Sequence, residues 1–106
     1  MTSGLRIWAN DLIVDIDALA KLTMINRDLE IVANPMLLDV DGLANLEYLG
    51  GNLDIYDNAT LGNINALTNL IAVDGNLDVD ANPMLTNIDG LINVEYVGKG
   101  LRVWSN

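Results

Sequence analysis

Cysteine, histidine, phenylalanine and glutamine are all absent from this 106-residue chain. Without cysteine there is no disulfide framework, and without cysteine and histidine the usual zinc ligand sets are excluded. Catalysis loses its commonest groups too. The only serines, Ser3 and Ser105, stand at the extreme ends, and Lys21 and Lys99 lie in no evident nucleophile setting. Positive charge is equally scarce. Five Lys and Arg against fifteen Asp and Glu give a net charge of -10, which repels phosphate backbones and anionic lipid, so no nucleic-acid partner is expected. Basic partners and cations stay open. No apolar run approaches the ~18 residues of a membrane span, so no membrane insertion is expected, and Met1 to Gly4 lack the charged and apolar regions of a signal peptide.

What the chain has in abundance is asparagine, fourteen residues, and a repeat. The phrase Leu-x-Ile/Val-x-x-Asn opens at Leu5, Leu29, Leu53, Leu77 and Leu101 and closes at Asn10, Asn34, Asn58, Asn82 and Asn106, a spacing of 24 residues without slip. A period in this range signals stacked supersecondary units. Four coils result, 5–28, 29–52, 53–76 and 77–100, followed by a final strand, 101–106. Residues 1–4 read as a leader and 5–106 as a single domain, a length that buries a modest core. The clean register, and the return of the head phrase Gly4 to Asn10 at Gly100 to Asn106, read as a piece excised or designed from a longer array.

Within a coil the opening phrase alternates apolar and polar residues, the period-2 mark of a half-buried strand. After the Asn, apolar residues recur about every third position, as at Leu61, Ile64, Leu67, Leu70 and Val73. That spacing fits short extended pieces joined by bends that return each apolar side chain to one interior. Glycines at or near the bends, among them Gly42, Gly50, Gly51, Gly75, Gly90 and Gly98, are expected to supply left-handed backbone. Coil one has Ala18 in place of the mid-coil glycine, and Asp17 to Leu22 there has fair helix propensity, so a short helical turn is a lesser expectation for that coil alone. A coil of this length has a contour of roughly 80 Å, and four rungs stack to only about 20 Å.

The stretch Gly75 to Val94, Gly-Asn-Leu-Asp-Val-x-x-Asn followed by Pro-Met-Leu-x-x-Ile-Asp-Gly-Leu-x-x-Val, resembles the receptor L-domain-like repeat, a relative in shape of leucine-rich repeats. The resemblance runs from Leu5 to Asn106. It implies an all-β, right-handed parallel β-solenoid of about four coils plus one terminal strand, an extracellular or cell-surface setting, and a parallel sheet that contributes to ligand contact. The cysteines and capping helix usual in that family are not evident here.

The asparagine column, Asn10, Asn34, Asn58, Asn82 and Asn106, is read as structural: an amide at a recurrent inward bend satisfies turn backbone that would otherwise be buried unpaired. Asn58-Ala59-Thr60 matches a glycosylation acceptor, but a glycan there would destroy the bend. Outward strand residues are the candidate binding face: Glu30, Asp54, Tyr56, Asp78 and Asp80, a mix of charge and aromatic surface typical of protein-binding patches. The plainer reading is a solvated sheet with Arg6–Glu30 and Asp78–Arg102 as weak cross-strand pairs. Calcium at Asp54, Asp57, Asp78 and Asp80 is disfavoured, because alternating strand residues do not gather six to eight oxygens about one point. No metal, cofactor or catalytic residue is assigned, and Asp39 and Asp41 flank Val40 in a bend with no cleft implied. The expected function is a non-catalytic interaction or structural module with a protein partner. The alternative is self-association: a stack without polar caps exposes strand edges to other chains, with Arg6, Trp8, Arg102 and Trp104 at the joint.

Overall fold

The structure is a computed structural model and describes residues 4–104. Every strand in it is parallel to its neighbours. Strands β1 (Leu5–Trp8), β3 (Leu29–Val32), β5 (Leu53–Tyr56), β7 (Leu77–Asp80) and β9 (Leu101–Trp104) form a five-stranded sheet in that order, and β2 (Met24–Ile25), β4 (Tyr48–Leu49), β6 (Ala72–Val73) and β8 (Tyr96–Val97) a four-stranded one. Pairing is in strict 24-residue register: Leu5 lies beside Leu29, Leu29 beside Leu53, Leu53 beside Leu77 and Leu77 beside Leu101. Each repeat therefore gives one strand to each sheet, and equivalent side chains stack. The shortest extent of the molecule, 19 Å, matches four strand spacings of about 4.8 Å.

Packing follows the period read in the sequence. Leu53, Ile55, Leu61, Ile64, Leu67, Leu70 and Val73 are all fully buried, and their counterparts Leu29, Ile31, Leu37, Val40, Leu43, Leu46 and Leu49 are too. One continuous apolar cluster runs through the stack from Ile7 to Leu85.

Two local expectations are corrected. Helical turns are not confined to the first coil: short 3₁₀ turns occur at Asp17–Leu19, Asp41–Leu43, Asn65–Asn69 and Asp89–Leu91. Each is started by an Asp or Asn two residues upstream, whose side-chain oxygen accepts the first backbone N–H: Asp15 Oδ1 from Asp17 (3.1 Å), Asp39 from Asp41 (2.9 Å), Asn63 from Asn65 (3.1 Å), Asn87 from Asp89 (3.0 Å). Such turns compete well with extended backbone.

The glycines, for their part, supply no left-handed backbone. Among the described residues no glycine has positive φ, and Ala9, Ala33, Asp57 and Ala81 do, at 51° to 59°. Glycine is needed instead where rungs meet closely. A Cβ on Gly42 would lie 1.9 Å from the Ile16 carbonyl oxygen, one on Gly90 1.8 Å from that of Ile64, and one on Gly50 2.2 Å from that of Asn26.

Candidate functional site

The outward side of the five-stranded sheet carries two columns. The inner one runs Arg6, Glu30, Asp54, Asp78, Arg102 across the strands in register. Its sign pattern is a run of three carboxylates with a guanidinium at each end. Arg6 Nε donates to Glu30 Oε2 at 3.1 Å, and Arg102 Nη1 lies 3.9 Å from Asp78 Oδ2. Asp54 sits between two acids and among the described residues forms no ion pair. Its carboxyl is pushed up to about 6, first by burial and then by Asp78, Glu30, Asp28 and Asp80. Asp78 adds a second sign of crowding, since its Oδ1 is buried and finds no hydrogen-bond donor among the described residues. Beside these two acids lies a depression of about 420 Å³ lined by Asp54, Asn76, Leu77, Asp78, Leu101 and Arg102 among others.

The outer column runs Trp8, Val32, Tyr56, Asp80, with the Trp104 backbone of β9 next in register. Trp8 is 44% exposed and the Arg6 guanidinium stands 4.3 Å over its ring, a cation–π contact. Val32, outward in the pleat, is nevertheless buried between its neighbours, while Tyr56 and Asp80 are half-buried. Burial, and after it the carboxylates of Asp54, Glu30, Asp57 and Asp80, raises the Tyr56 phenol above its ordinary value.

The structure thus brings Glu30, Asp54, Tyr56, Asp78 and Asp80 onto one contiguous surface. Arg6 and Trp8 lie at one edge of the sheet and Arg102 at the other. Trp104 ends β9, but its side chain, like Asn106 altogether, lies outside the described residues.

The asparagine column is interior. Asn34, Asn58 and Asn82 are fully buried, and Asn10 is exposed. The Asn58 amide donates to the Ile31 carbonyl of the preceding rung (2.9 Å), to its own Tyr56 carbonyl (3.1 Å) and to Asn82 Oδ1 (3.1 Å), while its oxygen accepts from the Asn34 backbone (3.1 Å) and Asn34 Nδ2 (3.2 Å). These bonds run between rungs as well as within the bend.

Two further columns went unread in the sequence. Asp28, Asn52 and Asn76 accept from the backbone N–H one repeat on, at Asn52, Asn76 and Gly100, over 2.7 to 2.9 Å. Asn45, Asn69 and Asn93 donate to the carbonyls of Ala20, Ala44 and Thr68 over 2.7 to 2.8 Å. The signal was there, since those asparagines recur at 24 residues as strictly as the chosen column does. The Tyr48 hydroxyl also donates to Asp74, a bond that raises the phenol's pKa.

Among the described residues no group of three or more histidine, cysteine, aspartate or glutamate side chains is placed to hold a metal ion, and no helix is long and apolar enough to cross a membrane. Comparison with protein-family models, curated proteins and solved structures gives no match to this chain.

Proposed function

We propose that this chain is a right-handed solenoid module of the receptor L-domain-like type, and that it binds a protein partner, without catalysis, through the outward side of its five-stranded sheet. An extracellular or cell-surface setting goes with that reading. The observation that carries it is the Arg6–Glu30–Asp54–Asp78–Arg102 column. Three adjacent carboxylates with only the outer two beside a cation leave Asp54 electrostatically unmet. A basic side chain from a partner, entering the depression beside Asp54 and Asp78, would relieve that repulsion and exclude water from the pair. Half-buried acids are better suited to this than fully solvated ones, because each charge contact is less screened. Tyr56 and Trp8 supply the flat apolar surface that such a contact needs around it.

The test is a titration of the isotope-labelled chain with short Arg- and Lys-containing peptides, followed by amide chemical shifts. Binding is expected to move Glu30, Asp54, Tyr56, Asp78 and Asp80, to weaken with salt, and to vanish in Asp54→Ser/Tyr56→Ser while the far-UV circular dichroism spectrum stays that of the parent. Shifts confined to another surface, or none at all, would reject the face.

A further inference from the structure

We infer that the chain has a second interaction surface, independent of the acidic face, and that its partner is another copy of the same chain. Residues 4–28 of the incoming copy seat on β7 in the place held by residues 100–104. The joint is a replacement of one terminal strand by the other.

The argument starts from arithmetic. Leu5-Arg6-Ile7-Trp8 and Leu101-Arg102-Val103-Trp104 are 96 residues apart, four times the 24-residue register. Strand β1 of a second copy can therefore lie on β7 with every position matched: Leu5 for Leu101, Arg6 for Arg102, Ile7 for Val103. The strand it displaces is the more weakly held of the two. Leu101 is 64% exposed and Val103 38%, whereas Ile7 in β1 is only 9% exposed because residues 10–28 fold over it.

Those residues are the second part of the argument. The apolar surface under β9, where Leu85, Ile88 and Val103 line a depression of about 210 Å³, faces the incoming first coil. At the other end of the molecule Leu5, Ile7, Ile13, Ile16 and Leu19 line a more apolar depression of about 250 Å³. Replacement sets each residue of the incoming copy beside the residue numbered 72 higher, which is 96 less 24. Ile13 then meets Leu85, Ile16 meets Ile88, Leu19 meets Leu91, Leu22 meets Val94 and Ile25 meets Val97. Every core position finds an apolar partner, so the joint continues the core. Ala18 falls over Gly90 as Ala66 falls over Gly42 within the chain, and Gly4 falls where Gly100 donates to Asn76 Oδ1.

Charge and geometry select replacement over simple addition at the free edge of β9. Addition would set Arg6 against Arg102. It would also leave β8 and the incoming β2 two rungs apart, about 9.6 Å, because among the described residues the second sheet ends one strand short of the first. Replacement puts Arg6 between Glu30 of its own copy and Asp78 of the other, and lets both sheets pair. Its unfavourable contacts, Asp17 near Asp89 and Arg27 near Lys99, fall on exposed residues, where salt screens them. The contact is head-to-tail and so propagates into a linear array, with about 19 Å of rise per copy.

The experiment uses the full chain. Light scattering across a hundredfold range of concentration should show a mass that climbs to at least twice that of a single chain. A constant single-chain mass would overturn the proposal. Two mixtures of cysteine variants, which carry the only thiols in this cysteine-free sequence, then read the register under oxidised glutathione. Trp8→Cys mixed with Asp80→Cys should give a covalent heterodimer, since these positions become in-register neighbours. Trp8→Cys mixed with Trp104→Cys should give none. The reverse result would establish edge addition and overturn replacement, and so would the absence of both products.

Discussion

Asp54 gives the sharpest handle on the sheet, and Asp54→Asn is the perturbation to make. Its carboxyl lies near 6 in the folded chain against an ordinary 3.8, so the folded state holds that proton more tightly than the unfolded chain does. The sign follows from linkage. Above about pH 6 both states are ionised and Asp54 opposes folding in full. Between about 6 and 3.8 the folded state takes up its proton first and the opposition fades. Asparagine keeps the shape and never carries the charge. Full linkage would make the variant about 3 kcal/mol more stable at pH 8, and the partial exposure of the residue brings this down to about 1 kcal/mol. For a domain of this size that is a rise of about 4–8 °C in Tm. Urea unfolding followed by far-UV circular dichroism, for both proteins from about pH 4 to pH 8, reads it directly. The advantage should be largest at the alkaline end, shrink with added salt and be nearly gone at the acid end. If the variant is no more stable than the parent at pH 8, or keeps an equal advantage at pH 4, the raised carboxyl deduced from the burial of Asp54 and the charges of Asp78 and Glu30 is wrong.

Four other substitutions address the stacking itself. Asn58→Ala removes the buried amide that serves Ile31, Tyr56, Asn34 and Asn82, stranding several backbone groups, and should lower unfolding free energy by about 3–5 kcal/mol in urea titrations. Gly42→Ala forces a methyl into the Ile16 carbonyl and should lose about 2–4 kcal/mol, whereas Gly62→Ala, whose new Cβ would meet only the Leu38 oxygen at 3.9 Å, should stay within about 0.5 kcal/mol of the parent. Ala33→Gly removes a left-handed alanine, φ 58°, and is expected to be neutral or to raise stability by up to about 1 kcal/mol, because relief of strain outweighs the added freedom of the unfolded chain; a loss beyond that range in the same assay would contradict it.

How much of this was legible depends on which interactions are periodic in the sequence. The core was, because Leu53, Ile55, Leu61 and their copies must each face one interior, and burial leaves an apolar residue at every such position. The parallel pairing and its 24-residue register came with it. The acidic face was legible as a set of residues. What could not be read was its electrostatic order, since Arg6 and Arg102 reach only their immediate neighbours and the isolation of Asp54 is a property of the assembled column. The 3₁₀ turns were not legible for a different reason: each is started by a side-chain acceptor, at Asp15, Asp39, Asn63 and Asn87, a polar position outside the apolar period.

The misplaced glycines show what organises the bends. A left-handed residue stands immediately before each described asparagine of the buried column: Ala9, Ala33, Asp57 and Ala81 precede Asn10, Asn34, Asn58 and Asn82. Such a backbone costs a non-glycine residue about 1–2 kcal/mol. At two of these bends the following amide reaches back over it, Asn58 to the Tyr56 carbonyl at 3.1 Å and Asn82 to that of Asp80 at 2.8 Å, closing a ring around the left-handed residue. At those two bends the asparagine helps hold the conformation, and at all four a residue other than glycine adopts it. Glycine is then left for the places where only the absence of a side chain will do, the rung contacts at Gly42, Gly50 and Gly90. It follows that loss of the asparagine should propagate. Without the amide at Asn58, Asp57 has little to hold it in the left-handed region, the bend opens, and the carbonyl of Ile31 in the preceding rung loses its donor as well. Damage at one rung thus reaches two, which is why the effect predicted for Asn58→Ala exceeds that of deleting a single hydrogen bond.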